Sequence, residues 1–155
     1  MKDIKLHQKK FNEIKELLIS KLGEKIVIDE ENGTTFLQIE DSEYWLSVDH
    51  SEFTVGFGLN HKHFSEEYDN LKKGIEEAFK LLTHEIRVTK YIKGKTLYKA
   101  VTEIKISDSI IENLGVTGIL FYPFWKKNQT ETSYFEAIIK KEDIESEIEK
   151  IVTIP

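Results

Sequence analysis

Between Lys25 and Asn60 apolar and polar residues alternate with a period of two, as strands do when one face is buried and the other meets water. Four segments carry the pattern: 25–29, 34–40, 43–49 and 52–60. In the second, Thr35, Leu37 and Ile39 oppose Phe36, Gln38 and Glu40. In the third, Tyr44, Leu46 and Val48 oppose Trp45, Ser47 and Asp49. The fourth sets Phe53, Val55, Phe57 and Leu59, a predicted core face, against Thr54, Gly56, Gly58 and Asn60. Asn32-Gly33 joins the first two segments, and this pair suits a tight hairpin turn because both central residues need positive φ. The pattern predicts an up-and-down antiparallel meander of four strands.

On either side the period changes. Ile4, Phe11, Ile14, Leu18 and Leu22 keep helical spacing, with Gly23 as a stop. After the meander a second helix is predicted from Ser65 to Thr83. Ser65 would be its N-cap, Glu66 and Glu67 would complement its dipole, and Tyr68, Leu71, Ile75, Ala78, Phe79 and Leu82 would form its apolar stripe. Strands resume at 86–92 and 97–106 around a Lys93-Gly94-Lys95 turn, although Lys90 interrupts the Ile86/Val88/Ile92 face. Asp108 to Leu114 reads as a short helical turn closed by Gly115. Residues 118–125, nearly all apolar, read as a strand buried on both faces or contributing to a binding surface; Pro123 puts it at an edge or a bulge. A strand over 132–140 and a helix over 141–151, with Ile144, Ile148 and Ile151 inward, complete the chain. The order is α-ββββ-α-ββββ-α, an α+β fold of antiparallel β-meanders with packed helices. It is predicted as one domain over residues 1–155, with a repeated helix–meander unit that suggests a pseudo-duplication.

Composition narrows the class. The 155 residues suit a single domain, and the absence of cysteine excludes disulfides and thiolate metal sites. The first residues hold no apolar h-region, and no run approaches the roughly 20 apolar residues of a membrane span. No signal peptide and no membrane partner are therefore expected, the location is expected to be cytoplasmic, and the sequons at Asn32 and Asn128 are incidental. The net charge of −6 is uneven. From Asp29 to Glu52 stand Asp29, Glu30, Glu31, Glu40, Asp41, Glu43, Asp49 and Glu52 with no Lys or Arg; from Ile86 to Lys105 six basic residues face Glu103 alone. An acidic meander steers a cationic partner, mainly through on-rate and specificity. The basic hairpin, with Tyr91 and Tyr98 among its lysines, has the make-up to touch phosphate and stack bases. With net negative charge and no RNA-binding motif, nucleic acid is the weaker reading.

Candidate chemistry is sparse. A regular fourth strand would hold His50 and His61 about 30 Å apart, so no site unites His50, His61 and His63. His61 and His63 point the same way if that strand continues. With a carboxylate of the Glu40–Glu43 turn they would make a first-row metal set. Gly56 and Gly58 leave bare backbone that Trp45 or a helix covers, or that floors a groove for a ligand. In the aromatic run, Tyr122 and Trp125 are partner anchors if their strand is an edge, where homodimerisation is also expected. No G-x-S-x-G elbow, Walker loop or dinucleotide loop occurs, and neither catalysis nor a cofactor is expected. The expected function is a non-enzymatic protein-interaction module that binds a basic partner through the acidic meander. In size, acidity and α+β make-up the chain resembles small polymorphic immunity proteins, which implies a bacterial-type protein of the immunity or adaptor kind. The alternatives are a metal-binding protein or metal-dependent enzyme using His61 and His63, and a small-ligand binder on the Trp45/Gly56/Gly58 face.

Overall fold

The first helix, α1 (Leu6–Leu22), turns Phe11, Ile14, Leu17 and Leu18 inward and ends where Gly23 takes φ 57°, its N–H reaching the Ile19 carbonyl. The structure, a computed structural model, describes residues 3–154. Five antiparallel strands follow in chain order: β1 (Ile26–Glu31), β2 (Thr34–Ile39), β3 (Tyr44–Val48), β4 (Phe53–Phe57) and β5 (Asn60–Phe64). Asn32 and Gly33 adopt φ 51° and 82°, the turn that the Asn-Gly pair predicts. The pleat aligns Leu37, Leu46 and Val55 across β2, β3 and β4, and all three are buried.

The fifth strand corrects the predicted fourth. The alternation runs through to Asn60, but Gly58 takes φ 59° and its N–H bonds the Glu43 carbonyl at 2.8 Å. A left-handed glycine cannot continue a strand, so the chain reverses over Gly58-Leu59. Leu59, expected in the core, is 58% exposed at this turn. His61 and His63 therefore lie on a strand running back along β4, opposite Gly56 and Thr54, instead of beyond its far end. The wide separation predicted from a regular fourth strand falls with that strand.

Helix α2 (Leu71–Thr83) starts six residues later than predicted. Ser65 caps nothing: its Oγ accepts the Tyr68 N–H and its own N–H bonds Asn70 Oδ1, which winds residues 65–70 into turns. Asp69 sits at φ 55° in that segment. Tyr68 is exposed, while Leu71, Ile75, Ala78, Phe79 and Leu82 bury their stripe as predicted.

The second sheet contains β6 (Glu85–Lys93), β7 (Thr96–Lys105), β8 (Ile111–Gly118) and β9 (Asn128–Phe135), in the order β8-β7-β6-β9. Two predictions fail here. Ile111–Gly118 is a strand where a helical turn was predicted, because Ile106 N–H bonds Ile110 O at 2.9 Å and closes a hairpin with β7. The apolar run after Gly118 is a loop and not an edge strand. It must cross from β8 at one edge to β9 at the other, about three interstrand spacings or ~14 Å. An edge-strand dimer through Pro123 has no strand to use.

Helix α3 (Lys141–Val152) buries Ile144 and Ile151. One apolar core draws on all three helices, the inner face of the first sheet and the base of the second, where Ile86, Val88, Ile104 and Leu114 are buried. Phe57 meets Phe135 edge to face at 5.3 Å across the two sheets, and the Leu82 carbonyl at the end of α2 accepts the N–H groups of Ile138 and Ile139. The buried Tyr44 hydroxyl donates to the Ala78 carbonyl at 3.0 Å. The fold is α+β with two antiparallel sheets, as the sequence pattern predicts, with nine strands among the described residues in place of eight. Among the described residues no helix is long and apolar enough to cross a membrane.

Candidate functional site: an acid-rimmed cleft between the sheets

Where the lower turns of the first sheet face the inner surface of the second, they leave a cleft of about 720 Å³. The β2–β3 turn contributes Glu40, Asp41 and Glu43; the β4–β5 turn contributes Gly58 and Leu59; Val88, Lys90, Leu97 and Phe135 come from the second sheet. Tyr44, Trp45 and Phe57 add aromatic wall. Inward lysine is the feature of β6 that broke its apolar face in the sequence. Among the described residues Lys90 is the single basic residue lining the cleft, against three carboxylates.

Those three carboxylates differ from the rest of the acidic stretch. The meander sends its turns alternately to two ends, so the eight acids divide between them. Asp29, Glu30, Glu31, Asp49 and Glu52 lie at the end of the β1–β2 and β3–β4 turns. Glu40, Asp41 and Glu43 lie at the other end, a strand length of about 15–20 Å away. At the first end most of the acids have local partners. Asp49 accepts the N–H groups of Ser51 and Glu52 at 2.7 and 2.8 Å, and Asp29 accepts that of Glu30. Glu52 lies 2.7 Å from His63 Nδ1 and accepts the Tyr68 hydroxyl, and Glu30 accepts from Thr35. At the cleft, Glu40, Asp41 and Glu43 form no side-chain hydrogen bond or ion pair among the described residues, and Asp41 is held at φ 61°.

Trp45 lies across Gly56, where a Cβ would overlap its indole, and donates from Nε1 to the Gly58 carbonyl at 2.9 Å. The bare backbone at Gly56 is thus covered by Trp45. The concavity opens beside Gly58 instead, with Trp45 among its lining residues. His61 and His63 do share a face, with rings 5.2 Å apart, and His61 lies 5.6 Å from Trp45. The carboxylate beside His63 is Glu52, at the opposite end from the Glu40–Glu43 turn. The described residues hold no group of three His, Asp or Glu side chains gathered as metal ligands.

Tyr122 and Trp125 lie apart from the cleft, in the loop at the outer end of the second sheet. Tyr122 stacks on Tyr98 at 4.4 Å, whereas Trp125 is 71% exposed. The sequence reading missed the contribution of the second sheet to the cleft, for which the misplaced Lys90 was the one available signal.

What the fold and the cleft define is a class: an α+β protein with a concave, acid-rimmed, aromatic-walled site between two sheets. Comparison takes this no further, since no protein-family model, curated protein or solved structure matches the chain.

Proposed function

We propose that the protein is a non-enzymatic interaction module whose cleft receives a cationic group of a partner protein, a lysine or arginine side chain on a basic surface. One observation carries this reading: among the described residues Glu40, Asp41 and Glu43 have no ionic partner, and they stand on the rim of an apolar, aromatic-walled cleft of about 720 Å³. Carboxylates beside low-dielectric walls attract cations more strongly than the same groups in open water, and the methylene stem of a lysine or arginine gains apolar contact with Trp45, Tyr44 and Leu97. The site is narrower than the eight-acid stretch suggested, because only three of those acids reach it. An immunity or adaptor role is the finer form of the same proposal, in which the cationic partner is an enzyme that loses activity when bound.

The test titrates an arginine-rich peptide while reading Trp45 fluorescence, with Trp125→Phe removing the other tryptophan. Trp45 emission is expected to change, with affinity falling steeply as salt rises. The triple variant Glu40→Gln, Asp41→Asn, Glu43→Gln is expected to bind about tenfold more weakly, at about 0.5 kcal/mol per partly exposed charge pair. Affinity that is flat in salt and unchanged in the triple variant sinks the proposal.

The cleft volume favours a second reading, because it falls within the range of about 300–1,000 Å³ common for small-ligand sites. A small amphiphilic amine would use the same carboxylates and walls. Saturable binding of such an amine, with no affinity for basic peptides, selects this reading over the first.

A further inference from the structure

We propose that the outer end of the second sheet, at the 119–127 loop, docks on an anionic lipid bilayer. Four apolar side chains project there with little cover: Leu120 is 91% exposed, Phe121 92%, Phe124 73% and Trp125 71%. The loop carrying them is built and not slack. Tyr122 turns back to stack on Tyr98, Phe124 N–H bonds the Tyr122 carbonyl at 2.8 Å, and Lys126 N–H bonds that of Pro123 at 2.9 Å. Holding Tyr122 against the sheet sends its neighbours outward.

The charge around these groups identifies the partner. The loop is tied to the β6–β7 turn, since Gly94 N–H bonds the Lys127 carbonyl and Lys93 Nζ the Phe124 carbonyl. Lys93, Lys95, Lys126 and Lys127 therefore surround the base of the projecting residues. No carboxylate occurs from residue 86 to 102 or from 113 to 130, so this end is basic in a chain of net charge −6. Apolar tips above a collar of lysines match a bilayer interface, where rings and aliphatic groups enter the headgroup–acyl boundary and ammonium groups meet anionic headgroups. Single-stranded nucleic acid fits less well. Leu120 and Phe121, the most exposed of these four apolar side chains, include an aliphatic one that cannot stack a base, while Tyr98 is taken by Tyr122 and Tyr91 lies under Lys99 at 5.0 Å. The expectation of no membrane partner rested on the lack of a spanning run, which surface docking does not need.

The test is co-sedimentation of the full chain with phosphatidylcholine vesicles, with and without phosphatidylserine. Binding is expected only with phosphatidylserine, with a blue shift of tryptophan emission, and is expected to weaken as ionic strength rises from about 0.1 to about 1 M and the Debye length shortens from about 10 to about 3 Å. Phe121→Ser with Trp125→Ser, and separately Lys126→Glu with Lys127→Glu, should each lower binding at least tenfold with unchanged melting temperature. The cleft triple variant should bind vesicles like the unmodified protein, which separates this site from the other. The proposal is overturned if no vesicle sediments the protein, or if the loop variants bind as well as the parent. It is equally overturned if those variants instead abolish self-association or binding to a single-stranded oligonucleotide while the parent ignores lipid.

Discussion

Glycine inside a strand usually weakens it, since it packs nothing and costs entropy on folding. At Gly56 the missing side chain is what lets the Trp45 indole lie flat across β4, where any Cβ would overlap the ring. Gly56→Ala is expected to cost about 1–3 kcal/mol by overpacking. In a Trp45→Ala background most of that cost should vanish, because the overlapping group has gone; a double-mutant cycle by denaturant unfolding measures the coupling. Equal costs in both backgrounds would mean that the clash lies elsewhere. Gly58, two residues on, has a different task. It reverses the chain with positive φ and accepts the indole N–H at its carbonyl. Alternation puts both glycines on one face and cannot tell a covered glycine from a turning one, so Trp45 as a cover was among the readings the sequence offered for the pair, while the turn at Gly58 was not legible.

Between elements, a polar contact across 59 residues of sequence adds to the apolar packing that joins α1 to the rest of the fold. His7 is buried, with Nδ1 2.8 Å from Glu66 Oε2 and Nε2 2.9 Å from the Asp49 carbonyl, and its backbone N–H also reaches Glu66. The first turn of α1 is thus fastened to both the β3–β4 turn and the segment before α2. Sequence reasoning placed Glu66 in the first turn of a helix; because α2 starts at Leu71, Glu66 is free to turn to His7. Desolvation works to raise the Glu66 carboxyl, but its own backbone N–H and the His7 side chain outweigh that and hold it below the usual carboxylate range. A carboxyl depressed on folding stabilises above its unfolded pKa, and that contribution is lost as pH falls through the folded value. The stability gap between the parent and Glu66→Gln is therefore expected to be full at neutral pH and to shrink through the acid range below the usual carboxylate pKa. Thermal melts at a series of pH values measure it, and a gap that widens on acidification contradicts the sign.

At the scale of the whole molecule, the second sheet is anchored at one end only. Ile86, Val88, Thr102 and Ile104 are buried at its base, whereas the strand ends beyond Tyr91 are half-buried or exposed. Opening free energy follows buried apolar contact, so backbone amides in 91–97 are expected to exchange with deuterium well before those in 86–88 and 102–104. Uniform protection along β6 and β7 would show that the outer end is held as firmly as the base. The same geometry distinguishes the two proposed surfaces. The acid-rimmed cleft opens between the meander and the inner face of the second sheet, from Val88 and Thr102 out to Leu97, and the lysine-collared loop lies at the tip of the free end, so one partner could occupy each.

The sequence alone determined what depends on near neighbours in the chain. The Asn32-Gly33 hairpin, the alternation that buries Leu37, Leu46 and Val55, the stripe on α2 and the helix stop at Gly23 all follow from turn chemistry and from periods of 2 and 3.6 residues. Tertiary structure decided where β4 ended, because the turn at Gly58 leaves the apolar alternation unbroken. It also decided that the 119–127 run is a loop, since that depends on β8 and β9 being opposite edges of one sheet. The cleft belongs to neither half of the chain: its carboxylates come from turns near residues 40–43, its walls include side chains some 45–95 residues later, and only packing of the two sheets brings them to one place.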